Sequence, residues 1–300
     1  MFTVCGNLPR RGFQDNAGPD LLARVIGQGV AASTSQTVVV ENKAGANAII
    51  GTDSVAKSAP DGYNLLVIDR LALITNPALY SGIPYNWQTD LKAVTELARV
   101  QLYLVVSGKL PAKNLAEFVA HVRANPGKLS YGTTGNGHIN HIAMEALVKH
   151  FGLNLPAVPY KAFPPVIAGI LNNEVISLIT GPVPVLGMVR DGRLKALAVG
   201  SEKRTRELPD VPTIFEQGGT TAMLPPTVFV MMAQGGIPDA LVTRINATVT
   251  AAMRQPEVVS AIEKQALELV PGSAADAARH MRDIAPGFLQ AIKDAGVKIE

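Results

Sequence analysis

Residues 130–145 read SYGTTGNGHINHIAME. Three of them, His138, His141 and Glu145, are of types that ligate metals or move protons. Thr133, Thr134, Gly135 and Asn136 precede them, in a turn between a strand-like start and a helical pattern. At helical spacing Ile139, Ala143, Ala146, Leu147 and His150 share one face, which leaves His138, His141 and Glu145 on the opposite side. A shared metal is one reading. His138 and Glu145 are separated by about 10.5 Å of helical rise at 1.5 Å per residue, too far for one small ion to draw on all three. A phosphate is a second reading, but no Lys-Ser/Thr pair follows Gly137 and no third glycine completes a dinucleotide fingerprint. A small anion is the third. Free N–H groups at the helix start, with the hydroxyls of Thr133 and Thr134, can hold a carboxylate, and Gly135 and Gly137 let the backbone come close. A loop capped by its own Thr and Asn side chains satisfies the same residues equally well.

The elements that must position this loop follow from local pattern. Short β-branched runs at Thr37–Val40, Leu65–Ile68, Leu102–Val106, Leu129–Tyr131, Ala157–Tyr160, Val175–Ile179, Leu194–Val199 and Thr227–Met232 alternate with helical patterns. The helices are expected at Leu21–Val30, Ala46–Lys57, Leu115–Ala124, Ile139–Phe151, Pro164–Leu171 and Val185–Asp191. That alternation predicts an α/β fold with mostly parallel strands covered on both faces. The C-terminal part reads as more helical. Leu241, Val242, Ile245, Val249 and Met253 form a stripe up to Pro256, and a last helical region, Ala274 to Ala295, is expected to break at Pro286-Gly287.

Bulk numbers narrow the class. With 300 residues, 47% apolar and 17% charged, the chain has the composition of a soluble globular protein, long enough for two domains. A net charge of +3 with 5% aromatic residues, the basic ones scattered, lacks the dense basic face of a nucleic-acid binder. Cys5 is the only cysteine, so no disulfide framework or cysteine-based metal site is expected. No apolar run has membrane-spanning length. MFTVCGNLPRR lacks the charged and apolar regions of a signal peptide. This reads either as a cytoplasmic protein or as a chain whose start is trimmed or misassigned.

Several stretches together carry a resemblance. VVVENKAGANAIIGTDSVAKSAPDGYNLLV contains Glu41-Asn42-Lys43, Gly45, Gly51-Thr52, Ala56-Lys57 and Pro60-Asp61-Gly62-Tyr63. Val158-Pro159-Tyr160-Lys161 and LKALAVGSEKRTRELPDVPT follow in order, with the YGTTGNG loop between. In this order the motifs resemble those of the tripartite tricarboxylate transporter substrate-binding proteins, the TctC or Bug family of extracytoplasmic solute receptors. The resemblance implies a two-domain, periplasmic-binding-protein-like (Venus flytrap) α/β fold with the ligand in an interdomain cleft. It sets the domains at residues 1–104 plus 226–300 and 105–225. It implies capture of a small carboxylate for membrane transporter subunits by a periplasmic monomer, with no cofactor, no metal and no nucleic acid. The implied ligand-binding residues are Gly12, Phe13, Gln14, Asp15, Asn16, Ala46, Thr133, Thr134, Gly135, Asn136, His138, Tyr160 and Thr180.

The chain departs from the family at three places. The first loop reads CGNLPRRGFQDNAGPD in place of a short Pro-Gly-Gly turn, which adds Arg10, Arg11, Gln14 and Asn16 as polar groups. Ile176 and Thr180 occupy positions where the family often has acidic residues that meet an ammonium group. The expected ligand is therefore a carboxylate without an α-amino group. His138 replaces a small hydroxyl residue. Two other functions fit the residues: a hydrolase or lyase with His138 or His141 as general base and Glu145 orienting it, and a sensor docking a protein partner through Lys203–Arg206. No Gly-x-Ser-x-Gly elbow is present.

Overall fold

The computed structural model describes residues 2–4, 18–43, 46–135, 138–220 and 223–295. In chain order the first elements are β1 (Phe2–Val4), α1 (Gly18–Thr34), β2 (Val40–Asn42), α2 (Ile49–Ala56), β3 (Leu65–Asp69), α3 (Arg70–Leu79) and β4 (Leu91–Val100). They are followed by β5 (Tyr103–Ser107), α4 (Leu115–Arg123), β6 (Tyr131–Thr133), α5 (Ile139–His150), β7 (Ala157–Pro159), α6 (Phe163–Leu171), β8 (Ser177–Thr180), α7 (Leu186–Arg190) and β9 (Leu194–Val199). The remainder is β10 (Thr227–Gln234), α8 (Asp239–Met253), α9 (Pro256–Glu263), β11 (Glu268–Leu269) and α10 (Ala274–Ala295). These elements form two units. The first holds the chain up to Arg99 together with Val228–Leu289. The second holds Val100–Thr227 and the described residues from Gln290 on.

Unit 1 is built on a sheet of order β11-β4-β10-β3-β1-β2. β1 pairs in parallel with β2 and β3, whereas β10 runs antiparallel to β3 and β11 antiparallel to β4. Leu66, Ile68, Val228, Val230 and Met232 share a core with Ala277, Met281 and Ala285 of α10. This burial carries α10 through Pro286 and corrects the expected break at Pro286-Gly287: packing of the stripe outweighs the lost backbone donor. At the other side of the unit, Asp20 is buried in the first turn of α1. It accepts from Arg24 Nε at 2.9 and 3.0 Å and from Asn42 Nδ2 at 2.7 Å, which docks α1 on the end of β2.

Unit 2 has the order β7-β6-β8-β5-β9. β6 pairs in parallel with β7 and β8; β5 is antiparallel to both β8 and β9. Mixed sheets thus replace the mostly parallel ones expected, because in each sheet one or more strands enter against the βαβ direction. Tyr103, Val105, Leu178 and Val199 pack with Val166, Ile167 and Ile170 of α6. The chain leaves β6 through α5 to β7 on one side, then crosses through α6 to β8 on the other. The C-terminal ends of β6 and β8 therefore flank a topological switch point, where open α/β sheets bind ligands.

Candidate functional site

At that switch point the parallel register sets Tyr131 opposite Ser177. Thr134 follows the last residue of β6 and Thr180 is the last residue of β8, so both lie at the C-terminal ends of these paired strands. Thr180 lies on the sheet face that α6 covers: it pairs with Tyr103, which packs on that helix. The hydroxyls of Thr134 and Thr180 are shut from solvent and have no hydrogen-bond partner. An unsatisfied buried hydroxyl costs about 1–3 kcal/mol, so two at neighbouring strand ends need a physical reason.

Two helices start at this edge. α6 has no side-chain cap at Ala162, and Pro164 and Pro165 bring no N–H of their own, which leaves the donors of Ala162 and Phe163 at its start. α5 is capped by His138, whose Nδ1 accepts from Asn140 N–H at 3.4 Å. That bond keeps the ring proton of neutral His138 on Nε2. Loss of solvent, with His141 nearby, pushes the half-buried His138 ring down to about 4, so at neutral pH it is an uncharged donor. Thr133 is buried, and its hydroxyl donates to Gly135 carbonyl at 3.2 Å. Gly135 takes φ +136°, a conformation that L side chains rarely adopt.

Behind the loop, His141 is buried and stacks on Tyr131 with ring centroids 6.3 Å apart. Tyr131 donates its hydroxyl to Glu145 Oε1 at 2.5 Å, and His141 Nε2 lies 3.9 Å from the same oxygen. Burial holds the His141 ring below its ordinary value, and Glu145 partly offsets that shift. The buried face of α5 is therefore wider than the apolar pattern predicted. It includes Asn140, His141 and Met144, whereas Ala146 is half-buried and His150 exposed. Tyr131 and Glu145 supply the polar partners that let His141 turn inward. Among the described residues no group of three His, Cys, Asp or Glu could hold a metal.

The structure thus gathers Thr133, Thr134, Gly135, His138 and Thr180 on one edge of unit 2. Tyr160 is tied to this loop by its backbone N–H, which donates to Thr133 carbonyl at 2.8 Å. Its hydroxyl points elsewhere, to Glu174 Oε2 at 3.4 Å over Gly169. Ala46 opens a 3-10 turn, Ala46–Ala48, before α2 in unit 1. Gly12, Phe13, Gln14, Asp15, Asn16 and Asn136 lie outside the described residues. Sequence reasoning missed the anchoring role of Tyr131; the available signal was an aromatic in a buried strand with an acid 14 residues on. A groove of about 430 Å³ lined by Arg24, Gln28, Gln36 and Thr37 lies on unit 1 where α1 ends and β2 begins, the sheet edge opposite to strand C-terminal ends.

The comparisons with known proteins decide the class. The model of the tripartite tricarboxylate transporter family receptor matches residues 22–296. The chain belongs to this receptor family. Protein BugT of Bordetella pertussis is 31% identical over 289 residues, 96% of this chain and 88% of that protein. The solved periplasmic binding protein BugD superposes with a TM-score of 0.79 at 27% identity, covering 100% of this chain and 98% of the other. An R. palustris protein solved with adipate gives a TM-score of 0.81 at 27% identity, with the same coverage. The fold is that of the α/β periplasmic binding proteins, and as a TctC or Bug member the chain is a solute-binding receptor and not an enzyme. The hydrolase or lyase reading of His138, His141 and Glu145 gives way to it. Glu145 carries the Tyr131 hydroxyl, an arrangement that anchors α5. No helix among the described residues is long and apolar enough to cross a membrane.

Proposed function

We propose that this receptor captures a small carboxylate without an α-amino group. One carboxylate of the solute sits on unit 2 at the C-terminal ends of β6 and β8. The observation that carries the reading is the pair of buried, unpartnered hydroxyls of Thr134 and Thr180. A carboxylate accepts from both, from the N–H groups at the start of α6 and from the Nε2–H of His138, with no cation required. The family's transporter association and the adipate held by the R. palustris relative support a carboxylate.

The absence of an amino group from the solute follows from β8. Ile176 and Thr180 carry no charge. Two acids of the unit are engaged elsewhere: Glu145 with Tyr131, and Glu174 with Tyr160. An ammonium group placed against these two side chains of β8 would lose its hydration and gain no charge from them. We further propose that the receptor works as a periplasmic monomer that hands its solute to membrane transporter subunits.

The test is a calorimetric titration with adipate, shorter and longer dicarboxylates, and 2-aminoadipate. The reading expects one or more of the plain acids to bind, and 2-aminoadipate to bind at least 10-fold more weakly than adipate. Equal or tighter binding of the amino acid would sink the proposed preference.

A further inference from the structure

A second polar group, in unit 1, has no partner for its charge-bearing edge. Arg70 opens α3 at the C-terminal end of β3 and is 9% exposed. Its Nη1 donates to Glu96 Oε1 at 2.6 Å. Its Nε–H is buried and unpartnered, and no described residue accepts from Nη2. The free atoms are the side-on fork of the guanidinium, two parallel donors spaced to match the two oxygens of a carboxylate. The groups around it are already committed. Glu96 also meets His280 Nδ1 through its second oxygen at 3.2 Å, and Asp69 accepts from Leu71 N–H at 2.9 Å as the cap of α3. None of them turns to the fork. Burial weakens the hold of Arg70 on its proton, and Glu96 and then Asp69 restore part of it, so a further acceptor would be stabilising there.

We propose that the Nε–H and Nη2–H edge of Arg70 is a carboxylate-binding position on unit 1, at the junction of β3 and α3. The position concerns unit 1 alone and goes beyond the site assigned to unit 2. Its ligand chemistry is a planar oxyanion that accepts two parallel N–H bonds. Arg70 is the receptor group, Glu96 holds the guanidinium in place, and the first turn of α3 adds its positive end.

The experiment is a ¹H–¹⁵N spectrum of the full chain recorded in the arginine Nε region, titrated with acetate and with adipate. The Arg70 Nε–H signal is assigned by its loss in Arg70→Lys, which keeps the charge but not the fork. The proposal expects this signal to move downfield and saturate on addition of one or both acids. It also expects Arg70→Lys to weaken adipate binding at least 10-fold. An Arg70 signal that stays fixed, while the backbone amides at the starts of α5 and α6 shift, overturns the proposal and leaves the unit 2 reading standing. A shift at Arg70 alone supports it and removes the unit 2 reading. If no signal moves with either acid, both fail. Glu96→Gln, which keeps an acceptor for Nη1, serves as a folded control should Arg70→Lys not fold.

Discussion

The Tyr131 hydroxyl donates to Glu145 Oε1 at 2.5 Å, and that bond ties β6 to the second turn of α5. The ring of Tyr131 is fully buried, and burial, reinforced by Glu145, raises the value at which its hydroxyl would ionise. The loop that carries Thr134 and His138 is strung between the two elements this bond joins. Tyr131→Phe removes the donor and leaves the carboxylate half-buried. Hydrogen bonds to charged groups are worth about 1.5–3 kcal/mol, and a loss in that range is expected from urea unfolding. Glu145→Gln keeps an acceptor and is expected to cost less. A cost below about 0.5 kcal/mol for Tyr131→Phe would mean that the bond does not hold the corner together.

Stability should respond to acid in two opposing ways. The His138 ring lies at about 4 in the folded protein against an ordinary 6.5. Its neutral form contributes stability that is present above pH 6.5 and lost as pH falls toward 4. Asp69 is raised to about 6 from 3.8, chiefly by burial against the help of the Leu71 N–H. Its contribution is present below pH 3.8 and lost as pH rises through 6. His138→Asn keeps a capping acceptor and should flatten the loss between pH 6.5 and 4. Asp69→Asn also keeps its cap and should gain on the wild type as pH rises from 4 to 7, by about 2 kcal/mol from a shift of this size. Unfolding midpoints at pH 4, 5 and 7 check both signs. An Asp69→Asn advantage that does not grow with pH would contradict the assignment.

A third expectation concerns backbone strain in unit 1. Asn47 and Ala48 both take left-handed conformations, φ 49° and φ 71°, just before α2. Asn47 is compensated by a reciprocal pair with Asn76. Its Nδ2 donates to Asn76 Oδ1 at 2.7 Å, and Asn76 Nδ2 donates to its carbonyl at 2.9 Å. Ala48 has no such compensation, and its Cβ in this conformation costs about 1–2 kcal/mol. Ala48→Gly is expected to raise stability by about 0.5–1 kcal/mol after loss of a buried methyl and a freer unfolded chain. A lower thermal midpoint would show that packing of that methyl outweighs the strain.

The parts of this fold legible in the sequence were those whose pattern and packing agree. β9 was expected at Leu194–Val199 and forms there, and α5 and α6 begin within a residue of their expected starts. β4 was missed because Lys92, Glu96 and Arg99 break its apolar run. Each charge is met from elsewhere in unit 1: Lys92 by Ile237 carbonyl and Asp239, Glu96 by Arg70 and His280, Arg99 by Glu268. Such partners are invisible to a local pattern. α3 was missed because Pro77 interrupts it, although Asp69 caps its start. At the candidate site, residue types pointed to the YGTTGNG loop, and the family resemblance pointed to Thr180. That Thr134 and Thr180 come at neighbouring strand ends depends on the pairing of β6 with β8, which no local stretch encodes.

That pairing leads to the sharpest test of the unit 2 reading. Thr180 is fully buried and its hydroxyl is unpartnered. Thr180→Val keeps the side chain's shape and replaces the hydroxyl with a methyl. If the hydroxyl waits for a ligand, the ligand-free variant should be more stable than the wild type by about 1 kcal/mol, since the unsatisfied group is gone. The same variant should bind its carboxylate at least 10-fold more weakly, which corresponds to about 1.4 kcal/mol or more. Thr134→Val should behave alike. The double variant should lose less than the two losses combined, because both hydroxyls address one group. Stability and affinity would then move in opposite directions, which a purely structural threonine cannot produce: removing a satisfied hydroxyl lowers stability. A Thr180→Val protein that unfolds more easily without ligand and binds as well as the wild type would show that the hydroxyl is satisfied within the fold, and the carboxylate would have to sit elsewhere.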